Sequence, residues 1–179
     1  MLGYAATLRI RTSSPPPMGD AYLDRTDWWS RLEELPLPRV MVIEDVDPHP
    51  GTGAFLGEVH ASILKALGCV GAVTNGAVRD LPAIRKMGFP LFSGSLSVSH
   101  AYVHVVDFGV PVTIGGLEIQ PGDLLHGDEH GILRIPLTIA EEIPAAADRL
   151  RERESTITAF CRSEHFTLAG LERLLNELR

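Results

Sequence analysis

The chain alternates between short, wholly apolar runs and segments whose apolar residues recur every three or four positions. Val40-Met41-Val42-Ile43 is a continuous apolar run of strand length, the pattern of a strand covered on both faces. Val70-Gly71-Ala72-Val73 and Phe89-Pro90-Leu91-Phe92 read the same way, and Tyr4 to Arg11 alternates as a strand. A helix is predicted over 55–67, with Leu56, Val59, Ile63 and Leu67 at helical spacing and Gly68 as its stop. A shorter helix over 81–87 ends at Gly88. Asp27 is placed to cap another, reaching about Leu35, with Trp28, Leu32 and Leu35 on one side. Strands and helices thus succeed one another. Crossover helices join like-directed strands, so this half is α/β with parallel pairing.

The later half is β-rich. Runs 102–106, 110–114 and 117–119 are short strand candidates, with Gly115-Gly116 as a hairpin turn. Leu124-Leu125 and Ile132-Leu133-Arg134-Ile135 flank a tight polar loop, Gly127 to Gly131. From Thr138 to about Cys161 the pattern is helical, with Pro144 near the first turn, where proline is tolerated. A last helix over 167–178 carries a stripe of Leu168, Leu171, Leu174 and Leu175. Ser13-Ser14-Pro15-Pro16-Pro17 reads as a stiff exposed loop, and Ser93-Gly94-Ser95-Leu96-Ser97 as a small-residue loop after a strand.

With 179 residues the chain can bury a real core. Its formal charge of −7 argues against a partner bound through a phosphate backbone, so no nucleic acid is expected. No apolar run reaches membrane-spanning length, and the first residues lack the layout of a signal peptide. The expectation is a cytoplasmic protein without a membrane partner. Cys69 and Cys161 lack metal-type spacing and read as buried thiols.

The most informative stretch is Gly76-Ala77-Val78-Arg79-Asp80. A guanidinium and a carboxylate stand side by side at the carboxyl end of a strand, where open α/β sheets gather ligands. Arginine offers a planar fork for a carboxylate or phosphate, and aspartate offers hard oxygen for a divalent cation. A surface ion pair accounts for the same two residues. The glycines from Gly51 to Gly57, ahead of a helix, leave backbone N–H groups able to hold an anion. An ordinary strand-to-helix turn explains them equally. No Walker or dinucleotide fingerprint is present, nor a Ser-His-Asp signature. His100 and His104 fall two pleats apart in β-like surroundings, too far for a metal pair, and His126 and His130 sit in a hairpin that solvated polar residues explain.

These pieces, in this order, resemble the RraA-like family, which includes 4-hydroxy-4-methyl-2-oxoglutarate aldolases and regulators of ribonuclease activity. The resemblance is carried by Leu56 to His60, Gly71 to Asp80, Gly88 to Phe92, and Gly115 through Pro121-Gly122-Asp123 to Pro136. It implies a compact α/β/β swivelling-type domain with a mixed sheet and C-terminal helices, assembled as a homotrimer or hexamer with sites at subunit interfaces. It covers 1–155, leaving 156–179 as a helical extension packed on that domain or on a neighbouring subunit.

By position, the resemblance implies that Gly57, Glu58, Val59 and His60 present backbone amides to a substrate carboxylate. Arg79 then binds that carboxylate or the keto oxygen, and Asp80 holds Mg²⁺ or Mn²⁺. The implied activity is metal-assisted C–C cleavage of a small 2-oxo acid to pyruvate, as a 4-hydroxy-2-oxo acid aldolase or an oxaloacetate decarboxylase. Water held at the metal is the candidate base, and His60 a weaker one. The alternative is a non-catalytic regulator that binds a ribonuclease. Aldolase members carry an acid three positions after the aspartate, where this chain has Ala83. The helix that usually opens the fold is expected to be short or absent.

Overall fold

The computed structural model describes residues 1–16 and 27–178, so Pro17 of the proline run lies outside the described residues. Contacts divide it into two units, Met1–Pro136 and Leu137–Arg179. The boundary expected near residue 155 falls inside a helix that runs unbroken from Ile143 to Cys161.

The first unit is built on an eight-stranded mixed sheet. Its parallel part comprises β1 (Leu2–Arg11), β2 (Arg39–Asp45), β3 (Ala54–Leu56), β4 (Cys69–Val78) and β5 (Leu91–Leu96). β1 pairs with β2, β2 with β4, and β4 with both β3 and β5, all in parallel. β6 (His104–Phe108) and β9 (Leu124–Asp128) run antiparallel to β1, and β10 (Gly131–Ile135) runs antiparallel to β9. β7 (Val112–Ile114) and β8 (Leu117–Ile119) form a separate hairpin. Its turn is Gly115-Gly116, both at positive φ, a backbone that side chains with a Cβ adopt at a cost.

The wholly apolar run in β2 has two covered faces. Met41 and Ile43 pack with α1 (Asp27–Glu33), α2 (Glu58–Ala66) and α3 (Leu81–Lys86) through Trp28, Leu32, Leu64 and Ile84. Val40 and Val42 pack on the other face with Val112 and Ile119 of the β7–β8 hairpin. Strand alternation therefore feeds two cores, with helices on one side and β structure on the other. Buried Arg39 ties the helical side down. Its guanidinium donates to the carbonyls of Glu33, Leu35 and Leu67, at the carboxyl ends of α1 and α2.

Three local readings change. Phe55 and Leu56 belong to β3, and the helix starts only at Glu58. Its buried face is His60, Ala61 and Leu64, whereas Val59 is 68 % exposed, so the inward stripe is displaced from the expected one. The 93–97 segment, expected as a loop, supplies the end of β5. Gly94 is needed there because a Cβ would collide with the Asn75 carbonyl of neighbouring β4. His100 and His104 do not share a strand: a turn with Ala101 at positive φ separates them, and β6 begins at His104.

The second unit opens with a 3₁₀ turn (Leu137–Glu142), followed by α4 (Ile143–Cys161) and α5 (Leu168–Glu177). Pro144 sits in the first turn of α4, and the Thr167 hydroxyl accepts from the Gly170 amide at 3.1 Å as the α5 cap. The Phe160 and Phe166 rings meet at 5.9 Å. Cys69 is buried, but Cys161 is exposed, because α4 buries none of its residues. Among the described residues no helix is long and apolar enough to cross a membrane.

Candidate functional site

Because β1 to β5 are parallel, their carboxyl ends share one edge of the sheet. β4 changes partner there. Its pairing with β2 ends at Ile43 and Thr74, and β3 takes over at Ala77 and Val78. Asn75 bridges the exchange. Its side chain accepts from the Asp45 amide at 2.7 Å and donates to the Asp45 carbonyl at 3.0 Å.

Two buried carboxylates secure the connecting loop. Asp45 accepts from the Gly51 amide at 2.8 Å and the Asp47 amide at 3.1 Å. Asp47 accepts from the amides of Thr12 and Ser13, both at 2.7 Å. Burial pushes the Asp47 carboxyl up, but these hydrogen bonds outweigh it and leave the group below the ordinary range. Sequence reading passed over this pair as a polar loop. The usable signal was an Asp-x-Asp spacing directly after a wholly apolar strand.

The ladder between β3 and β4 continues past the strands, with the Arg79 amide donating to the Leu56 carbonyl at 3.0 Å. This sets Gly57 against Arg79 and Asp80. A Cβ on Gly57 would lie 2.5 Å from Asp80 Oδ2 and 2.9 Å from Arg79 Nε, so only glycine permits the approach. The backbone at Gly57 is extended, so space rather than φ makes the demand. Helix geometry leaves the first amides of α2 without intrahelical acceptors. That of Glu58 donates to Asp80 Oδ2 at 3.1 Å.

Arg79 Nη1 donates to the Ala54 carbonyl at 2.6 Å, and Nε stands 3.6 Å from Asp80 Oδ2. The fork is thus anchored on β3, with its side chain 23 % exposed and that of Asp80 44 %. Asp80 takes a left-handed backbone (φ 58°, ψ 32°), a conformation aspartate tolerates better than most residues. A cavity of about 470 Å³ adjoins the pair, walled by Leu81, Pro82, Leu96 and Val98 among others.

The structure therefore brings Gly57, Glu58, Arg79 and Asp80 together. Gly57 to His60 do not line the cavity; they meet the pair through Asp80 Oδ2. The His60 side chain turns to the interior and stacks on Phe55, ring centroids 4.7 Å apart. Burial, then the charges of Arg79 and His100, push its imidazole down to about 4, against a hydrogen bond with the Phe55 backbone that pushes it up. A buried ring of such low basicity corrects the expectation of a base at this position. His126 and His130 lie on the β9–β10 hairpin, where the His130 ring stands 3.3 Å from Asp128. His104 is buried, its Nδ1 2.8 Å from the Tyr102 carbonyl.

Asp80 is the carboxylate whose oxygen faces this pocket's polar end. Mg²⁺ is commonly held by one or two carboxylates together with substrate oxygens and water, so a half-exposed aspartate beside an open cavity fits such an ion. Among the described residues no group of three or more His, Cys, Asp or Glu side chains forms a closed metal cage.

A family model described as RraA-like, Aldolase/RraA, matches residues 1–134. A protein of Halalkalibacterium halodurans named "Putative 4-hydroxy-4-methyl-2-oxoglutarate aldolase" is 34 % identical over 109 residues, 57 % of this chain and 52 % of that one. This chain thus spans about half the length of that relative. Among solved structures, Streptomyces coelicolor RraAS2, titled an unusual member of the RNase ES inhibitor RraA protein family, is 28 % identical. It superposes with a TM-score of 0.67 over 87 % of this chain and 75 % of its own. A Pseudomonas syringae protein matches in fold with a TM-score of 0.72 at 24 % identity, over 99 % of this chain and 76 % of that one. The motif, the mixed three-layer architecture and the matched span agree: this chain belongs to the RraA-like family.

Proposed function

We propose that the protein is a divalent-metal-dependent lyase that cleaves a C–C bond of a small 2-oxo acid to give pyruvate, as a 4-hydroxy-2-oxo acid aldolase, an oxaloacetate decarboxylase or both. The observation that carries this reading is the Arg79–Asp80 pair, packed against Gly57 and the first amide of α2 at the mouth of a cavity. Cleavage leaves negative charge on the substrate's keto oxygen. A Mg²⁺ or Mn²⁺ ion at Asp80 supplies positive charge there. Arg79, fixed by Ala54, offers its fork to the carboxylate or keto oxygen, and needs little reorganisation as charge develops. The first turn of α2, Glu58 to His60, steadies Asp80 and adds the field of a helix N-terminus toward the substrate carboxylate. A homotrimer or hexamer belongs to the same proposal, with the helices of 137–179 available for contacts between copies.

The test is pyruvate release from oxaloacetate and from 4-hydroxy-2-oxo acids, coupled to lactate dehydrogenase, with Mg²⁺ or with EDTA. Metal-dependent turnover that disappears in Arg79→Ala supports the reading. Ala83, where aldolases carry an acid, favours a second reading: a regulator that binds a ribonuclease. Tight binding to a ribonuclease with no turnover across the panel selects it.

A further inference from the structure

We propose that the pocket beside Arg79 selects 2-oxo acids whose distal end is apolar over those that carry a second carboxylate. The reaction in this inference rests on the pyruvate-forming reading; its binding test does not. Arg79 is the one cation among the cavity's lining residues and Asp80 the one anion. Arg79 is committed to the 2-oxo carboxylate end, with Nη1 already on the Ala54 carbonyl. The remaining wall is Leu81, Pro82, Leu96 and Val98, with Leu96 65 % and Val98 fully exposed.

A second carboxylate reaching this wall loses water without gaining a cationic partner, a costly exchange. An alkyl or aryl group there covers apolar surface that water otherwise wets. Proximity to Asp80 and to Glu58, whose amide is held by Asp80, adds like-charge repulsion against a dianion.

The substrate class is R–CH(OH)–CH₂–CO–COO⁻ with R apolar. The C3–C4 bond breaks and its electron pair passes to C3 and the keto oxygen. The hydroxyl proton leaves as that oxygen becomes the aldehyde of R–CHO, and one proton returns to C3 to give pyruvate. No oxidant or reductant is required.

The experiment is calorimetric titration with 2-oxopentanoate and 2-oxoglutarate in Mg²⁺, ligands of equal carbon length that differ in a terminal methyl or carboxylate. Binding of 2-oxopentanoate at least about tenfold tighter is expected, the discrimination a small apolar contact supplies. Val98→Lys, at a fully exposed position, is expected to reverse the order by at least about tenfold. Equal or tighter binding of 2-oxoglutarate to the wild-type chain overturns the inference, as does binding of neither. A Val98→Lys variant that weakens both ligands equally while changing the assembly state in light scattering also overturns it, because the wall then belongs to an interface. Preferential binding of 2-oxopentanoate without pyruvate from any 4-hydroxy-2-oxo acid leaves the specificity standing and removes the lyase reading instead.

Discussion

Gly57→Ala isolates the contact on which the site depends. The backbone there is extended (φ −135°, ψ −169°), so alanine meets no conformational penalty of its own. The added methyl would stand 2.5 Å from Asp80 Oδ2, about 0.9 Å short of ordinary contact, and 3.0 Å from Arg79 Cγ. Arg79 is held at Nη1 by Ala54 and at its amide by Leu56, so it yields little. Asp80 must move and release the Glu58 amide, which lies at the surface. The stability cost is about 1 kcal/mol, a drop of about 3 °C in Tm for a chain of this length. A displacement of about 1 Å at a reacting constellation costs on the order of 10²-fold in rate. The expected outcome is a folded variant with kcat/KM for pyruvate release about a hundredfold lower. Thermal melts and the lactate-dehydrogenase-coupled assay read the two effects separately. Wild-type kcat/KM in Gly57→Ala would refute the reasoning, since the contact would then not position Asp80.

Three further outcomes are expected. Arg79→Lys, which keeps the charge but not the fork, loses on the order of 10²–10³-fold in kcat/KM with its melt little changed; retention of activity would show that a point charge suffices. Asp80→Asn keeps a side chain that tolerates the left-handed backbone, so it folds, and the Mg²⁺ concentration needed for half-maximal rate rises at least about tenfold; an unchanged Mg²⁺ titration would remove Asp80 as the ligand. The His60 imidazole is pushed down to about 4 in the fold from a reference near 6.5, so the unfolded chain binds the extra proton between those values. Its contribution, on the order of 3 kcal/mol, is fully present above about pH 6.5 and is lost as pH falls toward 4. Denaturant midpoints at pH 7 and pH 4.5 should therefore converge in His60→Phe, whose ring can keep the stack on Phe55; an equally steep decline in the variant would assign the acid sensitivity elsewhere.

The parallel strand–helix succession was legible because both of its signals are local. β2 reads as a buried strand from four consecutive apolar residues, and the β7–β8 turn follows from two glycines. The Arg-Asp pair was legible as chemistry because it follows a strand whose end it must occupy. What failed was local pattern under tertiary override. Phe55 and Leu56 fit a helical stripe, yet Arg79 on the continuing β4 ladder claims the Leu56 carbonyl. Ser93-Gly94-Ser95 resembles a loop by composition, but close approach to Asn75 makes its small residues fit a strand. His60 carries a polar ring into an apolar position by stacking on Phe55, a choice that no spacing rule anticipates.

Residue order alone determined the architecture class, the family motif and the neighbouring guanidinium and carboxylate, because apolar periodicity and adjacency are properties of short windows. Only the folded chain decided that Asp80 takes the Glu58 amide, that Asp45 and Asp47 clamp the strand exchange, and that Leu96 and Val98 wall the pocket. Each joins segments that lie far apart in sequence or directs a loop carboxylate inward. Such contacts arise from strand register and hydrogen-bond satisfaction across the sheet, to which local pattern is blind.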